Sequence, residues 1–200
     1  HDNLFSILYA FVTALEVRDL HTKKHSARVA KYAVMIAEEM GCTQEELDII
    51  NFAGNLHDIG KIGIRDDILL KPGKLTDEEY NEIKEHPGIG ADMISKLNMW
   101  DREKMIIRHH HERFDGKGYP DGLKGDEIPK LARILCVADS FDAMDSDRAY
   151  RKKMEKNKIL DILKENSGIQ FDPEATNAFF KSARLGLVTG SETVQNLSEM

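Results

Sequence analysis

Residues 43–50 read TQEELDII and indicate how helices begin in this chain. Thr43 and Glu46 form a capping box, in which each side chain bonds the other residue's backbone N–H group at a helix start. The same pattern returns at residues 76–83, TDEEYNEI, with Thr76 and Glu79. Two such starts, each followed by apolar residues, favour a helical protein.

Apolar residues recur at helical spacing on both sides of this stretch. Val29, Ala33, Ile36 and Met40 mark a helix that Gly41 is placed to stop. Further helices are expected over about residues 4–15 and 91–97, from 102 into the histidines at 109, from Pro129 onward, and over 156–166 and 173–184. No stretch alternates in the way of a strand. The sequence therefore predicts an all-α, single-domain helical bundle over residues 1–187, with residues 188–200 as a tail.

Composition limits the class of protein. The chain has 200 residues, 41% of them hydrophobic and 32% charged, which is typical of a soluble globular domain. Its net charge of −7 argues against binding a nucleic acid polymer. No apolar run approaches the roughly 20 residues that span a bilayer. The two cysteines, Cys42 and Cys136, form no CxxC motif, and reduced thiols of this kind predict a cytoplasmic location. Because the chain starts on His1 and not on Met, we expect an output domain cut from a longer protein with an N-terminal sensor domain.

The histidines are grouped in the sequence. His57 adjoins Asp58 in HDIGK, three histidines are contiguous at 109–111, and Asp139 interrupts the apolar helix pattern RILCVADSF. A buried carboxylate is costly unless it is paired or binds metal. Histidine and aspartate without cysteine suit Fe, Mn or Zn, with Fe or Mn favoured by the ligand number. This number of candidate ligands is too large for one tetrahedral ion. It fits a two-metal site of the kind that catalyses phosphoryl transfer.

At this point the chain resembles a known family. Five stretches carry the resemblance: HDIGK (57–61), HPGIG (86–90), HHERFDGKGYPDGLKGDEIP (110–129), ARILCVADSFDAM (132–144) and DRAYR (147–151). Together they are similar to the HD-GYP domain, an all-α group within the HD superfamily of metal-dependent phosphohydrolases. The resemblance implies a bacterial signalling enzyme that hydrolyses cyclic di-GMP to pGpG and GMP. Some members act on cyclic GMP-AMP.

The resemblance also implies a set of site residues. The metal ligands would be His25, His57, Asp58, His86, His110, His111 and Asp139. Asp58 would be the bridging carboxylate and, with Lys61, a catalytic residue. Lys61 would contact a substrate phosphate near the scissile bond, and Arg148 and Arg151 would hold phosphate or base. The register of the motif assigns His110 and His111 as the ligand pair, so His109 is not expected to bind metal and should tolerate substitution.

One position departs from the family pattern. Four residues before the first ligand histidine, many members carry Tyr, and some members with three metals carry Glu. Here that residue is His21, which stands four residues before His25 and, on a shared helix face, could bind one ion with it. The expected cofactors are therefore two divalent ions, with a third as a hypothesis.

The Gly-rich stretch FDGKGYPDG at 114–122 leaves its role open. It could cover the site, position His110 and His111, or contact a partner. By resemblance the partner would be a diguanylate cyclase with a GGDEF domain. Asp115 and Tyr119 are expected to hold the fold of the loop itself. A phosphohydrolase acting on other nucleotides and a non-catalytic sensor or docking module are the competing interpretations, and a homodimer is a further hypothesis.

Overall fold

A computed structural model describes residues 2–18, 24–147 and 152–184 of the chain. Within those ranges the chain forms α-helices joined by loops, and the only β-type pairing is an isolated bridge between Ser167 and Phe171. The helices are α1 (Asp2–Arg18), α2 (His25–Glu39), α3 (Gln44–Leu56), α4 (Asp66–Leu69), α5 (Asp77–Ile83), α6 (His86–Ser95), α7 (Asp101–His109), α8 (Lys130–Asp145), α9 (Lys156–Glu165) and α10 (Pro173–Arg184). Two short 3₁₀ turns cover Ile59–Gly63 and Gly125–Glu127. The all-α prediction is confirmed.

The local signals at helix ends act as the sequence predicts. At α3 the backbone N–H of Thr43 donates to Glu46 Oε2 at 2.9 Å, and the Glu46 N–H donates to Thr43 Oγ1 at 3.3 Å. Gly41 follows α2 with a φ of +69°, a conformation that glycine adopts without steric cost. The N–H of Cys42 then donates to the carbonyl of Ala37 at 3.0 Å, which completes a Schellman motif.

Helix α2 lies at the centre of the bundle, packed against α3, α8 and α10. Its Val29, Ala33 and Ile36 are fully buried. Gly54 allows α3 to approach closely, since a Cβ there would lie 2.7 Å from the Cα of Ala30. The close contact brings the last turn of α3 against the first half of α2.

Two predicted elements need correction. Helix α6 begins at His86 and not near residue 91, with Pro87 tolerated in its first turn. Helix α8 begins at Lys130, because Pro129 has a ψ of 132° and caps the helix from an extended conformation.

None of the helices in the described ranges has both the length and the apolar content that crossing a bilayer would require.

Candidate metal centre

Most of the predicted ligands lie at helix ends, where the backbone changes direction toward one point. His25 is the first residue of α2, His57 follows the last residue of α3, and His86 is the first residue of α6. His110 and His111 follow α7 directly, while Asp139 projects from within α8. Side chains that are far apart in sequence therefore meet in one cluster between these helices.

A first group contains His25, His57 and Asp58, whose potential ligand atoms lie within 4.8 Å of one another. All three residues are buried. Asp139 joins the group, because its Oδ1 lies 3.2 Å from His25 Nε2 and 3.8 Å from His57 Nε2. Two imidazoles and two carboxylates thus face one position.

A second group contains His86, His110 and His111, again with ligand atoms within 4.8 Å of one another. The ring centroids of His110 and His111 are 4.1 Å apart, and those of His86 and His111 are 5.1 Å apart. The groups adjoin, since the His57 and His110 centroids are separated by 5.1 Å. The predicted ligands thus form two adjoining groups.

Asp58 lies between the two groups and turns one oxygen toward each. Its Oδ2 is 3.6 Å from His57 Nε2 and 3.8 Å from His25 Nε2. Its Oδ1 is 3.4 Å from His86 Nε2 in the second group. This is the orientation that a carboxylate needs to bridge two ions.

The histidine side chains are held so that their Nε2 atoms face the centre. The Nδ1 atoms of His57, His86 and His110 donate to backbone carbonyls of Gly54, Ile83 and Ile107 at 2.8, 2.7 and 2.6 Å. A carbonyl only accepts, so Nδ1 carries the proton and Nε2 carries the lone pair. All three Nε2 atoms are buried and have no hydrogen-bond partner. Buried acceptors rarely remain unpaired, and a metal ion would satisfy all three.

The charge states of the second group and of Asp58 suit a divalent cation. Burial lowers the pKa of His86 to about 3 and that of His111 to about 4, and it holds the pKa of His110 well below its usual value. These imidazoles are therefore neutral at pH 7, as metal binding requires. Burial alone would raise the pKa of Asp58, but Lys61 and the nearby histidines keep it well below its usual value. The donor set fits a metal site of the predicted kind.

Asp142 supports His25 and was not singled out by the sequence. Its Oδ2 accepts from His25 Nδ1 at 2.7 Å, and Arg28 Nε donates to its Oδ1 at 2.6 Å. Asp142 is almost fully buried and lies one turn after Asp139 on α8. The spacing of Asp139 and Asp142, three residues apart on an otherwise apolar helix, was the sequence feature that could have indicated this role. A carboxylate behind a ligand histidine fixes its orientation and makes it a stronger donor.

We expect Asp142→Asn to weaken metal binding by about 10- to 100-fold, because it removes the charge that orients and strengthens His25. Titration with Mn²⁺ after chelation would measure the change. Asp145→Asn, one turn further along α8, is the matched control and should bind as the wild type does. Equal affinities for all three proteins would contradict the supporting role.

Only some of the residues predicted to contact substrate lie in the part of the chain that the structure describes. Lys61 lies beside the centre, and its Nζ is 2.6 Å from Asp58 Oδ2. Its predicted role toward a phosphate stays a prediction. His21, Arg148 and Arg151 lie outside the described residues, so their placement and roles also stay predictions.

His109 is an anchor for the Gly-rich loop and not a free side chain. It is buried, its Nδ1 donates to the carbonyl of Met105 at 2.8 Å, and its Nε2 lies 2.9 Å from Asp121 Oδ2. Arg108 also pairs with Asp121, at 2.7 Å, and holds the pKa of that carboxyl at about 2. Glu112 Oε1 accepts from the N–H of Asp121 at 2.7 Å. The loop is therefore fixed to the end of α7.

Because of this arrangement, substitutions at His109 and His110 should have different effects. His109→Gln should keep its metal content but lower the free energy of unfolding by about 1–3 kcal/mol, since a buried hydrogen-bonding group is disturbed. His110→Gln should lose metal. Metal analysis together with urea unfolding of both variants would check the pair. Loss of metal from His109→Gln would contradict the assignment.

Tyr119 and Asp115 differ in position. Asp115 pairs with Arg113 at 2.8 Å and accepts from the N–H of Lys117 at 3.0 Å, so it holds the loop as expected. Tyr119 instead lies on His111, with ring centroids 4.9 Å apart and planes 30° from parallel. Its ring borders the centre, so the expectation that Tyr119 serves only the loop is incomplete.

The sequence profile of the HD domain family matches residues 10–175. The chain belongs to this family. The cyclic di-GMP phosphodiesterase response regulator RpfG of Xanthomonas campestris is 43% identical over 88% of this HD domain chain and 48% of its own length. A cyclic di-GMP phosphodiesterase of Thermotoga maritima is 44% identical over 90% of this chain and 50% of its own. The resemblance to HD-GYP phosphodiesterases is confirmed by this match and these relatives.

Among solved structures, a cyclic GMP-AMP specific phosphodiesterase of Vibrio cholerae has a TM-score of 0.71 at 18% identity, over 98% of this chain and 53% of that one. At that identity the similarity shows the shared HD-domain fold. The chain spans about half the length of the curated relatives that it matches. HD phosphohydrolase domains depend on metal, and the two adjoining ligand groups contain residues that could hold it.

Proposed function

We propose that this HD domain is a metal-dependent phosphodiesterase that hydrolyses cyclic di-GMP to pGpG or GMP. The observation that carries the proposal is the pair of adjoining ligand groups that share Asp58, with one carboxylate oxygen turned toward each. Two adjacent ions suit displacement at a phosphodiester. The relatives named as cyclic di-GMP phosphodiesterases support this substrate over other nucleotides.

The roles of the residues follow from their positions. Divalent ions in such a site activate water and neutralise charge that develops on the phosphate. His25, His57, Asp58 and Asp139 would hold one ion, and His86, His110 and His111 with Asp58 would hold the other. Lys61 is flexible enough to exchange its bond with Asp58 for a bond to a substrate phosphate, where it would hold the phosphate in line for attack. Arg148 and Arg151 are proposed as further contacts to phosphate or base.

One experiment tests the proposal. The protein is incubated with Mn²⁺ or Fe²⁺ and, separately, with cyclic di-GMP, cyclic GMP-AMP and a nucleoside monophosphate, and the products are separated by chromatography. We expect pGpG or GMP from cyclic di-GMP at the highest rate. Turnover of the monophosphate alone would favour a general nucleotide phosphohydrolase. Tight binding of cyclic di-GMP without any product would favour a sensor.

The number and kind of ions are part of the proposal. Fe or Mn is favoured by the histidine and carboxylate donors. If His21 holds a third ion with His25, wild-type protein should carry three metal atoms per chain and His21→Ala two. Inductively coupled plasma measurement gives the count. Two atoms in both proteins would exclude the third site.

The remaining expectations are proposals about the whole protein. We infer that residues 1–187 form the catalytic unit and that residues 188–200 form a tail. We also propose that a sensor domain precedes the catalytic unit in a longer cytoplasmic protein. The surface of the Gly-rich loop, where Lys117 and Pro120 are exposed, is proposed as the contact for a diguanylate cyclase of the GGDEF class. A homodimer is proposed as well.

A further inference from the structure

Three side chains at the edge of the second ligand group have no role in the centre described above. They are Tyr80, Lys84 and Tyr119. The Nζ atom of Lys84 lies 4.5 Å from the ring centroid of Tyr80 and 5.9 Å from that of Tyr119. Tyr119 in turn rests on His111, and Lys84 precedes His86 by two residues. The cluster is therefore next to the candidate metal centre.

Lys84 differs from the other cations around the centre. Lys61, Arg28 and Arg108 each pair with a carboxylate, at 2.6, 2.6 and 2.7 Å. Within the described residues Lys84 has no carboxylate at ion-pair distance, and its polar contact is the side-chain oxygen of Asn81 at 3.3 Å. It is half-buried on aromatic faces, which bind a cation without neutralising its charge. The ammonium thus remains available to an anion.

Tyr80 presents an aromatic face beside that charge. Its side chain is 45% exposed, although it is a large ring. It lies in the middle of α5, one turn before Lys84. An ammonium next to an exposed aromatic ring is the combination that proteins use to hold a nucleotide, with the phosphate on the cation and the base stacked on the ring.

On the basis of the proposed function, we propose that Tyr80, Lys84 and Tyr119 form a subsite for the half of the cyclic dinucleotide that is not being cleaved. A cyclic dinucleotide carries two phosphodiesters, so when one lies at the ligand histidines the other needs a second cation close by. Lys84 binds that second phosphate, the exposed face of Tyr80 stacks with the attached purine, and Tyr119 forms the wall between this subsite and His111.

The test separates binding from turnover. Lys84→Met and Tyr80→Leu should each raise the KM for cyclic di-GMP by about tenfold, with a much smaller effect on kcat. Lys84→Arg and Tyr80→Phe keep the charge and the aromatic face, so their KM should stay within about threefold of wild type. Lys96→Met, at the far end of α6 from His86, is the control for losing one lysine. Circular dichroism would verify that every variant is folded.

A second substrate distinguishes the subsite from general support of the centre. Bis(p-nitrophenyl) phosphate is a diester without a second phosphate or a purine. In Lys84→Met, kcat/KM should fall at least about fivefold further for cyclic di-GMP than for this compound. Equal losses, or an unchanged KM for cyclic di-GMP, would overturn the subsite while the proposed function stands. If the wild type cleaves the chromogenic diester but no cyclic dinucleotide, the proposed function fails and the subsite with it.

Discussion

Asp58→Asn should reduce hydrolysis of cyclic di-GMP by about three orders of magnitude or more, together with the loss of bound metal. The reason is geometric. Among the residues that the structure describes, Asp58 is the one side chain that turns an oxygen toward each ligand group, so its replacement by a neutral amide weakens both positions at once. It also leaves the ammonium of Lys61 beside the histidines without its partner, which opposes the entry of a cation.

The substitution preserves shape, so the fold should persist. Metal content, activity and the far-UV circular dichroism spectrum are measured on the same preparations. Asp67→Asn is the matched control, because Asp67 is an exposed carboxylate that pairs only locally with Arg65 and should change none of the three. A variant that keeps its metal but loses activity would make Asp58 a proton-transfer residue and not a bridging ligand.

The double variant His57→Ala, Asp58→Ala should show the same joint loss of metal and activity. It removes the ligands at the end of α3, so metal and hydrolysis should disappear together while the helical bundle remains folded. Retained turnover would refute the proposed centre, because no other described residue offers a carboxylate to both ligand groups.

The sequence predicts features that depend on neighbouring residues. The capping boxes at Thr43 and Thr76 and the stop at Gly41 involve atoms within a few residues of each other, and all three form. The ligand histidines were assigned by motif, and the structure brings them together. The roles of His21, Arg148 and Arg151 stay predictions because these residues lie outside the described ranges.

Features that depend on distant contacts were missed. Asp142 reaches His25 across 117 positions of sequence, a contact that no local pattern reports. The contact between His109 and Asp121, which lies near the end of the Gly-rich loop, was also missed, and the expectation that His109 is no metal ligand stays a prediction. The 3₁₀ turn over HDIGK packs against α6, and the sequence around His57 contains no sign of that contact.

The contact between that turn and α6 gives the prediction with the largest effect on stability. In Gly60→Ala the new Cβ would lie 1.9 Å from the carbonyl oxygen of His86 and 2.5 Å from the backbone nitrogen of Gly90. Backbone atoms of a helix cannot move aside cheaply, so α6 must shift away from the turn. We expect a loss of about 3 kcal/mol or more in the free energy of unfolding, and a melting temperature lower by roughly 6–12 °C.

The same shift should reach the metal centre, since α6 carries His86 and the turn follows Asp58, whose Oδ1 is 3.4 Å from His86 Nε2. Metal affinity of Gly60→Ala should therefore fall along with stability. Gly88→Ala is the matched control on the same helix, because a Cβ there meets only Arg108 Nη1, at an ordinary 3.6 Å. In that helical position alanine should match glycine or exceed it by about 0.5–1 kcal/mol. The alternative result is that Gly60→Ala and Gly88→Ala have the same melting temperature and the same metal affinity. In that case α6 does not hold the turn, and another contact must position Asp58 against His86.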